Sequence, residues 1–499
     1  MPNTLLKAMF LFITPLLVLS AEAMVSEMSS PLPENLVVAA MEADIALDDI
    51  SVMVTPITRP NEPLINHYSN VPRTPASTQK LVTTAVALEL LGADFYWFNR
   101  LYANGMVVGG TLYGDLVVVG SGDPSLTHEQ LTLLFAKLYA KGVHRITGDI
   151  IIDGSLFQSV DYDVNAFDGQ GLRAYNAAPS AFLVNFGTVQ ANFLPSGRWQ
   201  GQGDTAQFIP NGAANSVAFD IKPRLANFSF PAQLVTDNTD GCRAMAFERI
   251  KLDRQSLSLD GGYTPSCGTD TMWLNFGDND LLATKAVLAT WLSFDPSFQG
   301  VVQVSHKPVP TGLLPILTSP SRSLATQIHD INQYSNNVMT EQLALSLPVY
   351  ATANRYSDYP TTFTLINAWW RDKLTSPAPV MSRASGLCRD CQLTTASMVE
   401  LLNYMYRSPN FAAFKTSLPI AGRTGTMKAL AKRDNNNVAI DRAYIKTGRL
   451  NDVIGFAGYV DGTSGQVYAV AAIINSADVG NNPAAVEFLD KVLNVVALQ

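Results

Sequence analysis

The stretch "RTPASTQKLVTTAVALELLG", Arg73 to Gly92, opens with small polar residues and continues as a long apolar run. Thr74 suits an N-cap and Pro75 the first helical position, so the pattern predicts Ser77 at the third position of a helix that ends at Gly92. A serine there has a backbone N–H without an intrahelical acceptor, at the positive end of the helix dipole. Its hydroxyl can attack an acyl group while its N–H binds an oxyanion.

Lys80 follows Ser77 by three residues and projects from nearly the same face of the predicted helix. Burial among neighbours such as Leu81 and Val82 would lower its pKa, so that a neutral amine accepts the serine proton. Ser-x-x-Lys also arises by chance in a chain of 499 residues. Alone, the pair is better explained as the polar first turn of an ordinary helix.

The string "YSNN" in a helix-rich region offers the first set of partners. A second hydroxyl, Ser335, can relay a proton to a leaving amine beside a lysine. The carboxamide of Asn337 can hold a substrate amide and Lys80. Without the Ser-x-x-Lys pair, the string would indicate only a polar turn or helix face.

The string "KTG" at the end of the strand-like "RAYIKTGRL" offers the second set. Lys446 and Thr447 can bind a carboxylate, and Gly448 permits close approach of a substrate backbone. The N–H of Arg449 could supply a second oxyanion donor. Alone, the string is unexceptional at the end of a surface strand.

The N-terminus has the features of a secretory signal peptide over residues 1–23. Lys7 precedes the apolar run "AMFLFITPLLVLS", and "AEA" ends at Ala23 as a cleavage site. The run is short for a membrane span and is broken by Pro15, so an uncleaved anchor or a buried helix is the weaker interpretation. No later stretch reaches the length of a transmembrane helix, which predicts an exported, soluble mature chain.

Four cysteines in an exported chain suggest two disulfides, Cys242–Cys267 and the tight Cys388–Cys391. A C-x-x-C can also be a redox pair or half of a zinc site, but no further cysteine or nearby histidine completes a tetrahedron. We therefore expect no metal.

Composition and missing motifs narrow the function further. A net charge of −8 argues against a nucleic-acid partner. The chain contains no G-x-S-x-G elbow, H-E-x-x-H helix, Walker loop or full G-x-G-x-x-G fingerprint. Its five histidines are scattered, so nothing in the sequence indicates a Ser-His-Asp triad.

The element pattern predicts an α+β fold with one domain built from both ends of the chain. The hairpin-like "ISVMVTPITRPNEPLINHY" lies near the start, and the strands "VIGFAGYV" and "QVYAVAAIIN" lie near the end. Helical patterns precede those last strands, and a final helix closes the chain. We therefore expect a discontinuous catalytic domain at 24–93 and 275–499, with a large β-rich insertion at 94–274.

The three motifs in this order match the S-x-x-K, S-D-N and K-T-G signature of β-lactamases and penicillin-binding proteins. One group of penicillin-binding proteins has segments that resemble three further stretches of this chain: "GSGDPSLT", "ITGDIIIDGSLF" and "LPIAGRTGTMK". The chain thus resembles low-molecular-mass penicillin-binding proteins of the penicillin-binding protein 4 type, D-alanyl-D-alanine carboxypeptidases and endopeptidases. The long interval between Lys80 and Ser335 agrees, because this family carries extra domains there.

The resemblance implies a transpeptidase/β-lactamase-like fold, an antiparallel sheet flanked by helices, and no cofactor. It implies Ser77 as acylated nucleophile, Lys80 as its base, Ser335 as proton relay and Asn337 as a contact of substrate and base. The expected partners are peptidoglycan stem peptides and β-lactams, and the expected location is the bacterial periplasm. The alternatives are a non-catalytic peptidoglycan-binding protein of this fold, or a β-lactamase or esterase using the same residues.

The resemblance also gives the third motif its roles. It implies that Lys446 and Thr447 hold the terminal carboxylate of D-Ala-D-Ala or of a β-lactam, next to Gly448. It implies an oxyanion hole formed by the N–H groups of Ser77 and Arg449, although the family usually has a small residue at the latter position.

Two stretches depart from the family pattern. In "RASGLCRDCQLT" two polar family positions have become Cys388 and Cys391, so we expect a disulfide in place of a local polar contact. The second is "NAFDGQGLRAYNAAPSAFLVN", which corresponds to a family segment that contains tryptophans and an aspartate. This stretch lacks the tryptophans, and Asp168 is a candidate for the aspartate.

Overall fold

The computed structural model describes residues 31–158, 160, 162–200, 207–210, 216–236, 247–308 and 314–499. The predicted signal peptide and Cys242 lie outside these ranges, so the leader and the Cys242–Cys267 disulfide stay predictions. Among the described helices, none is long and apolar enough to cross a bilayer.

One five-stranded antiparallel sheet joins the two ends of the described chain. Its spatial order is β17 (Ala443–Leu450), β18 (Val453–Asp461), β19 (Val467–Asn475), β1 (Ile50–Pro56) and β2 (Ile65–His67). Strand β1 pairs with β19 in a register that places Ile50 opposite Ile474. The first and last strands therefore complete one sheet, as the sequence predicts, and β17 with the Lys-Thr-Gly motif lies at its edge.

Helices cover both faces of this sheet. Successive side chains of a strand point to opposite sides, so neighbouring residues of one strand pack in different cores. Val470 and Ala472 of β19 pack in one core with α1 (Glu34–Glu42), α10 (Leu430–Arg433) and α11 (Pro483–Ala497). Ala469 and Ala471 pack in the other core. That second core contains α2 (Lys80–Leu91), α5 (Leu324–Tyr334), α6 (Asn337–Thr352), α7 (Tyr359–Lys373), α8 (Thr395–Arg407) and α9 (Phe411–Ser417).

The remaining strands surround a separate hydrophobic core. One sheet has the order β15 (Val302–Ser305), β6 (Ile150–Asp153), β4 (Thr111–Val119), β3 (Tyr96–Val108) and β16 (Leu317–Ser323), with β5 (Arg145–Ile146) beside β4. A second has the order β11 (Gln233–Val235), β10 (Ser216–Lys222), β7 (Thr188–Leu194) and β14 (Asp270–Asn275). Two smaller pairs are β8 (Gly197–Gln200) with β9 (Gln207–Pro210), and β12 (Ile250–Leu252) with β13 (Leu257–Leu259).

The strand pairing bears on where the insertion ends. Strands β15 and β16 follow residue 274 but pair with β6 and β3. Helix α4 (Asn279–Leu292) packs with α3 (His128–Ala140) in the same core, where the ring of Trp291 lies 5.9 Å from that of Phe135. We therefore propose that the inserted unit extends to residue 323, beyond the boundary expected at 274.

Candidate active site

Ser77 lies in a 3₁₀ turn, Ala76–Gln79, that leads directly into α2. The prediction of a Thr74-capped α-helix is wrong at this point, since no side chain caps the turn. Tertiary contacts fix the turn instead, because Asn475 of β19 accepts from the Thr74 N–H at 2.8 Å and donates to the Thr74 carbonyl at 3.2 Å. Ser77 itself is only half-buried and so remains accessible.

Lys80 is the first residue of α2 and has no exposed surface. Its Nζ lies 2.8 Å from Ser77 Oγ, 2.7 Å from Asn337 Oδ1 and 2.7 Å from the carbonyl of Ser385. Two of these partners only accept hydrogen bonds, whereas a serine hydroxyl can also donate. A neutral Lys80 that donates to both acceptors therefore turns its lone pair towards Ser77 Oγ.

The electrostatic surroundings favour that neutral form. Burial, with the nearby Lys446 charge as the second cause, lowers the pKa of Lys80 well below its ordinary value. The Glu341 carboxylate acts in the opposite direction. The net result favours the neutral amine, which is the form that can accept a proton from Ser77.

Ser335 and Asn337 lie where α5 ends and α6 begins. Ser335 adopts a left-handed conformation, with φ 55° and ψ 38°, and this turns the chain sharply between the helices. Asn337 bridges two parts of the molecule, because its Oδ1 accepts from Lys80 and its Nδ2 donates to the Tyr175 carbonyl at 2.9 Å. Asn336 caps α6 by accepting from the Met339 N–H at 3.1 Å, a helix-capping function that sequence analysis did not assign.

The third motif lies on edge strand β17 beside this turn. Lys446 is fully buried and donates to Ser335 Oγ at 2.9 Å and to the Thr447 carbonyl at 2.6 Å. Burial lowers the pKa of Lys446 to about 7. The Thr447 hydroxyl donates to Thr426 Oγ1 at 2.8 Å, whereas Arg449 is exposed. The motifs thus converge around Ser77, and an oxyanion role for the Arg449 N–H stays a prediction.

Gly448 is required by a contact that sequence reasoning did not anticipate. A Cβ at this position would lie 2.9 Å from the Pro75 carbonyl oxygen and 3.1 Å from the Ser77 nitrogen. The absent side chain therefore lets β17 lie against the 3₁₀ turn of the protein itself.

Glu341 and Ser385 also belong to the site, and sequence analysis assigned neither. Glu341 is fully buried, and its carboxylate accepts from the N–H groups of Ala384 at 3.1 Å and Ser385 at 2.9 Å. Its position four residues after Asn337 on one helix was the available signal, because such residues share a face. Ser385 contributes a backbone carbonyl. Every residue type has one, so the sequence contains no signal for this contact.

Cys388 and Cys391 form a disulfide in the segment that contains Ser385. This agrees with the disulfide expected from the sequence, and it engages both sulfurs, so neither is a thiolate available to zinc. Gln79 Nε2 lies 3.8 Å from Cys391 Sγ and donates to the Arg383 carbonyl at 2.5 Å. The disulfide loop is thereby attached to the turn that contains Ser77.

Asp168 supports the site from the insertion without contacting Ser77 or Lys80. It accepts from the Tyr175 hydroxyl at 2.7 Å and from Asn176 Nδ2 at 2.9 Å. Tyr175 in turn accepts the Asn337 amide through its carbonyl. A cavity of about 910 Å³ opens here between insertion and helices, and its lining includes Tyr175, Trp273, Phe186, Ser335 and Asn337.

Comparison with known proteins points to one family. The model of the D-Ala-D-Ala carboxypeptidase 3 (S13) family matches residues 32–494. The D-alanyl-D-alanine carboxypeptidase DacB of Haemophilus influenzae is 24% identical over 416 residues, 81% of each chain. The D-alanyl-D-alanine carboxypeptidase of Actinomadura sp. (strain R39) is 25% identical over 458 residues, 90% of this chain and 82% of the relative.

The fold is also found among solved structures. The crystal structure of penicillin binding protein 4 (dacB) from Haemophilus influenzae superposes with a TM-score of 0.72 at 20% identity, covering 93% of this chain and 99% of that one. This likeness confirms the predicted transpeptidase-like fold. Since the family model covers most of its length, the chain belongs to the D-Ala-D-Ala carboxypeptidase 3 (S13) family.

Proposed function

We propose that this enzyme is an exported serine D,D-peptidase that hydrolyses D-Ala-D-Ala bonds of peptidoglycan stem peptides and D,D cross-links through an acyl-Ser77 intermediate. One observation carries the proposal most directly. The fully buried amine of Lys80 lies 2.8 Å from a half-buried, accessible serine hydroxyl. This is the geometry of a nucleophile with its base.

In the acylation step, neutral Lys80 takes the proton of Ser77 while Oγ forms a bond to the carbonyl carbon of the penultimate D-Ala. The N–H groups of Ser77 and Arg449 would stabilise the oxyanion. The first lies in a helix-initiating turn, where backbone N–H groups lack intrahelical acceptors. The C–N bond then breaks, and the terminal D-Ala leaves as its amine.

Proton return to that amine is the proposed role of Ser335. Its hydroxyl is 2.9 Å from Lys446 Nζ, and Asn337, two residues on, contacts Lys80. Lys446 and Thr447 would hold the substrate carboxylate, since the ammonium is a charge-assisted donor beside a hydroxyl. Water then attacks the acyl-serine and releases the shortened peptide.

The same arrangement accounts for inhibition by penicillins. A β-lactam carries an acyl carbon and a carboxylate that match the two recognition points, Ser77 and the Lys446–Thr447 pair. Its leaving nitrogen stays tethered, so the acyl-enzyme would be long-lived. The signal-like segment at 1–23 supports a periplasmic location, which gives access to peptidoglycan.

The test is release of D-Ala from a peptide ending in D-Ala-D-Ala, by wild-type protein and Ser77→Ala. The proposal predicts release by the wild type and none by the variant, with slow turnover of benzylpenicillin. Rapid penicillin turnover without D-Ala release would instead identify a β-lactamase. No acylation and no release would identify a non-catalytic binding protein.

A further inference from the structure

Glu341 is a buried carboxylate to which the proposed mechanism gives no role. It lies on α6, one turn after Asn337, and has no exposed surface. Both of its oxygens accept from consecutive backbone N–H groups, those of Ala384 and Ser385. The carboxylate therefore fixes the orientation of this peptide segment.

That segment contacts the base. The carbonyl of Ser385 accepts from Lys80 Nζ at 2.7 Å, and the neighbouring Ala384 carbonyl accepts from Thr83 Oγ1 at 3.0 Å. Hydrogen bonds thus connect Glu341 to Lys80 through the backbone of one residue, Ser385. Displacement of the segment would remove one of the acceptors that orient the amine.

The charges of the buried amines are an independent reason to connect Glu341 with Lys80. Lys80 and Lys446 are fully buried, and the hydrogen-bond partners described above for their amines are neutral. A buried cation needs a compensating anion, and Glu341 is the carboxylate whose field acts on Lys80. The other charged or titratable groups near Glu341 are Arg383, which stacks at 4.5 Å and 5.1 Å on two tyrosine rings, and those tyrosines, Tyr162 and Tyr359.

We propose that Glu341 is a positioning residue for Lys80: it fixes the Ser385 carbonyl against the amine and offsets the positive charge that Lys80 gains with the serine proton. The inference rests on the proposed function, because it assigns Lys80 the role of base. A purely structural role, in which Glu341 only ties α6 to the 384–385 segment, would leave the ionisation of Lys80 unchanged.

Two substitutions separate the effect of the shape of the Glu341 side chain from the effect of its charge. Glu341→Gln keeps the shape, removes the charge and retains one acceptor for two N–H groups. It should slow acylation by about 10- to 100-fold at the optimum and shift the acidic limb of the pH profile about one unit lower, because Lys80 loses its stabilising anion. Glu341→Asp keeps the charge but is one methylene shorter, so it should slow acylation without moving the limb.

Glu400→Gln is a matched control. Glu400 also accepts from two consecutive N–H groups, those of Thr375 at 2.9 Å and Ser376 at 2.8 Å, but these do not contact the site. Its pH profile should equal that of the wild type.

The experiment measures the rate of benzylpenicillin acylation between pH 5 and 10 by quenched intact-mass analysis of the full chain. A shifted limb in Glu341→Gln alone supports the proposal. An unshifted limb in that variant, or an equal shift in Glu400→Gln, overturns it. No acyl-enzyme in the wild type would instead overturn the proposed function, so the two failures are distinguishable.

Discussion

Lys80 and Lys446 are buried amines with opposite requirements in the proposed reaction. Lys80 must be neutral to accept a proton, and burial lowers its pKa. Lys446 must be charged to bind a carboxylate, and burial lowers its pKa to about 7. Rising pH therefore activates the first group and removes the charge of the second, so acylation by a carboxylate-bearing substrate should have a bell-shaped pH profile.

The descending limb of that profile can be assigned by substitution. In Lys446→Arg the guanidinium stays charged throughout the range, so the fall in kcat/KM above pH 7 should disappear while the ascending limb remains. Acylation rates measured across pH for both proteins check this expectation. The same descending limb in the variant would show that another group controls it.

Residues that belong to a recognisable motif were predictable, and residues outside the motifs were not. Ser77, Lys80, Ser335 and Lys446 belong to motifs whose residue types indicate their chemistry, and the structure brings them together. Ser385 acts through its carbonyl, which any residue would supply. Glu341 shares a helix face with Asn337, but its contacts with Ala384 and Ser385 form only when that distant segment packs on α6.

At the scale of elements, the contact between β17 and the 3₁₀ turn aligns the motifs. Gly448→Ala would place a methyl group 2.9 Å from the Pro75 carbonyl oxygen and force the two apart. We expect acylation to slow by about 100-fold, because small displacements of reacting groups are costly. Stopped-flow acylation of the purified variant checks this, and a wild-type rate would show that the turn adapts.

The Cys388–Cys391 disulfide also acts at the scale of elements. Replacing both Cys388 and Cys391 by alanine frees a four-residue loop, which should lower the free energy of unfolding by about 2 kcal/mol. Acylation should also slow, because the loop positions the Ser385 carbonyl. Urea unfolding and acylation rates measure the two effects, and unchanged values of both would show that the bond is dispensable.

Element types were more predictable than their exact starts. The β1–β2 hairpin follows from alternating apolar residues, the β18–β19 hairpin from two apolar runs joined by a turn sequence, and the final helix from its amphipathic pattern. The start of α2 was misjudged, since Thr74 and Pro75 have the residue types of a cap. The backbone of Thr74 is held by Asn475, some 400 positions away, and no local pattern reports such a contact.

At the scale of the whole molecule, the two cores on the faces of the five-stranded sheet and the separate core of the insertion suggest two units of stability. Meeting of both chain ends in one sheet was predictable from strand patterns. The end of the insertion proposed at residue 323 was not, because the sequence of helix α4 resembles those of the helices after it and only its packing places it in the core of the insertion.

Trp291→Ala tests the proposed boundary at residue 323. Trp291 is fully buried in the core of the insertion, so its loss should destabilise that unit by about 3–5 kcal/mol. Calorimetry should show one transition moved to lower temperature, while penicillin acylation raises the other. If the substitution lowers the penicillin-sensitive transition instead, α4 belongs to the catalytic unit.

The proposed mechanism depends most on Ser77 as the acylated nucleophile. The direct measurement is intact mass after incubation with benzylpenicillin, followed by peptide mapping, for wild type and Ser77→Ala. We predict one persistent penicilloyl group on Ser77 and none on the variant. An adduct on another residue, or an equal adduct in both proteins, would contradict acylation at Ser77.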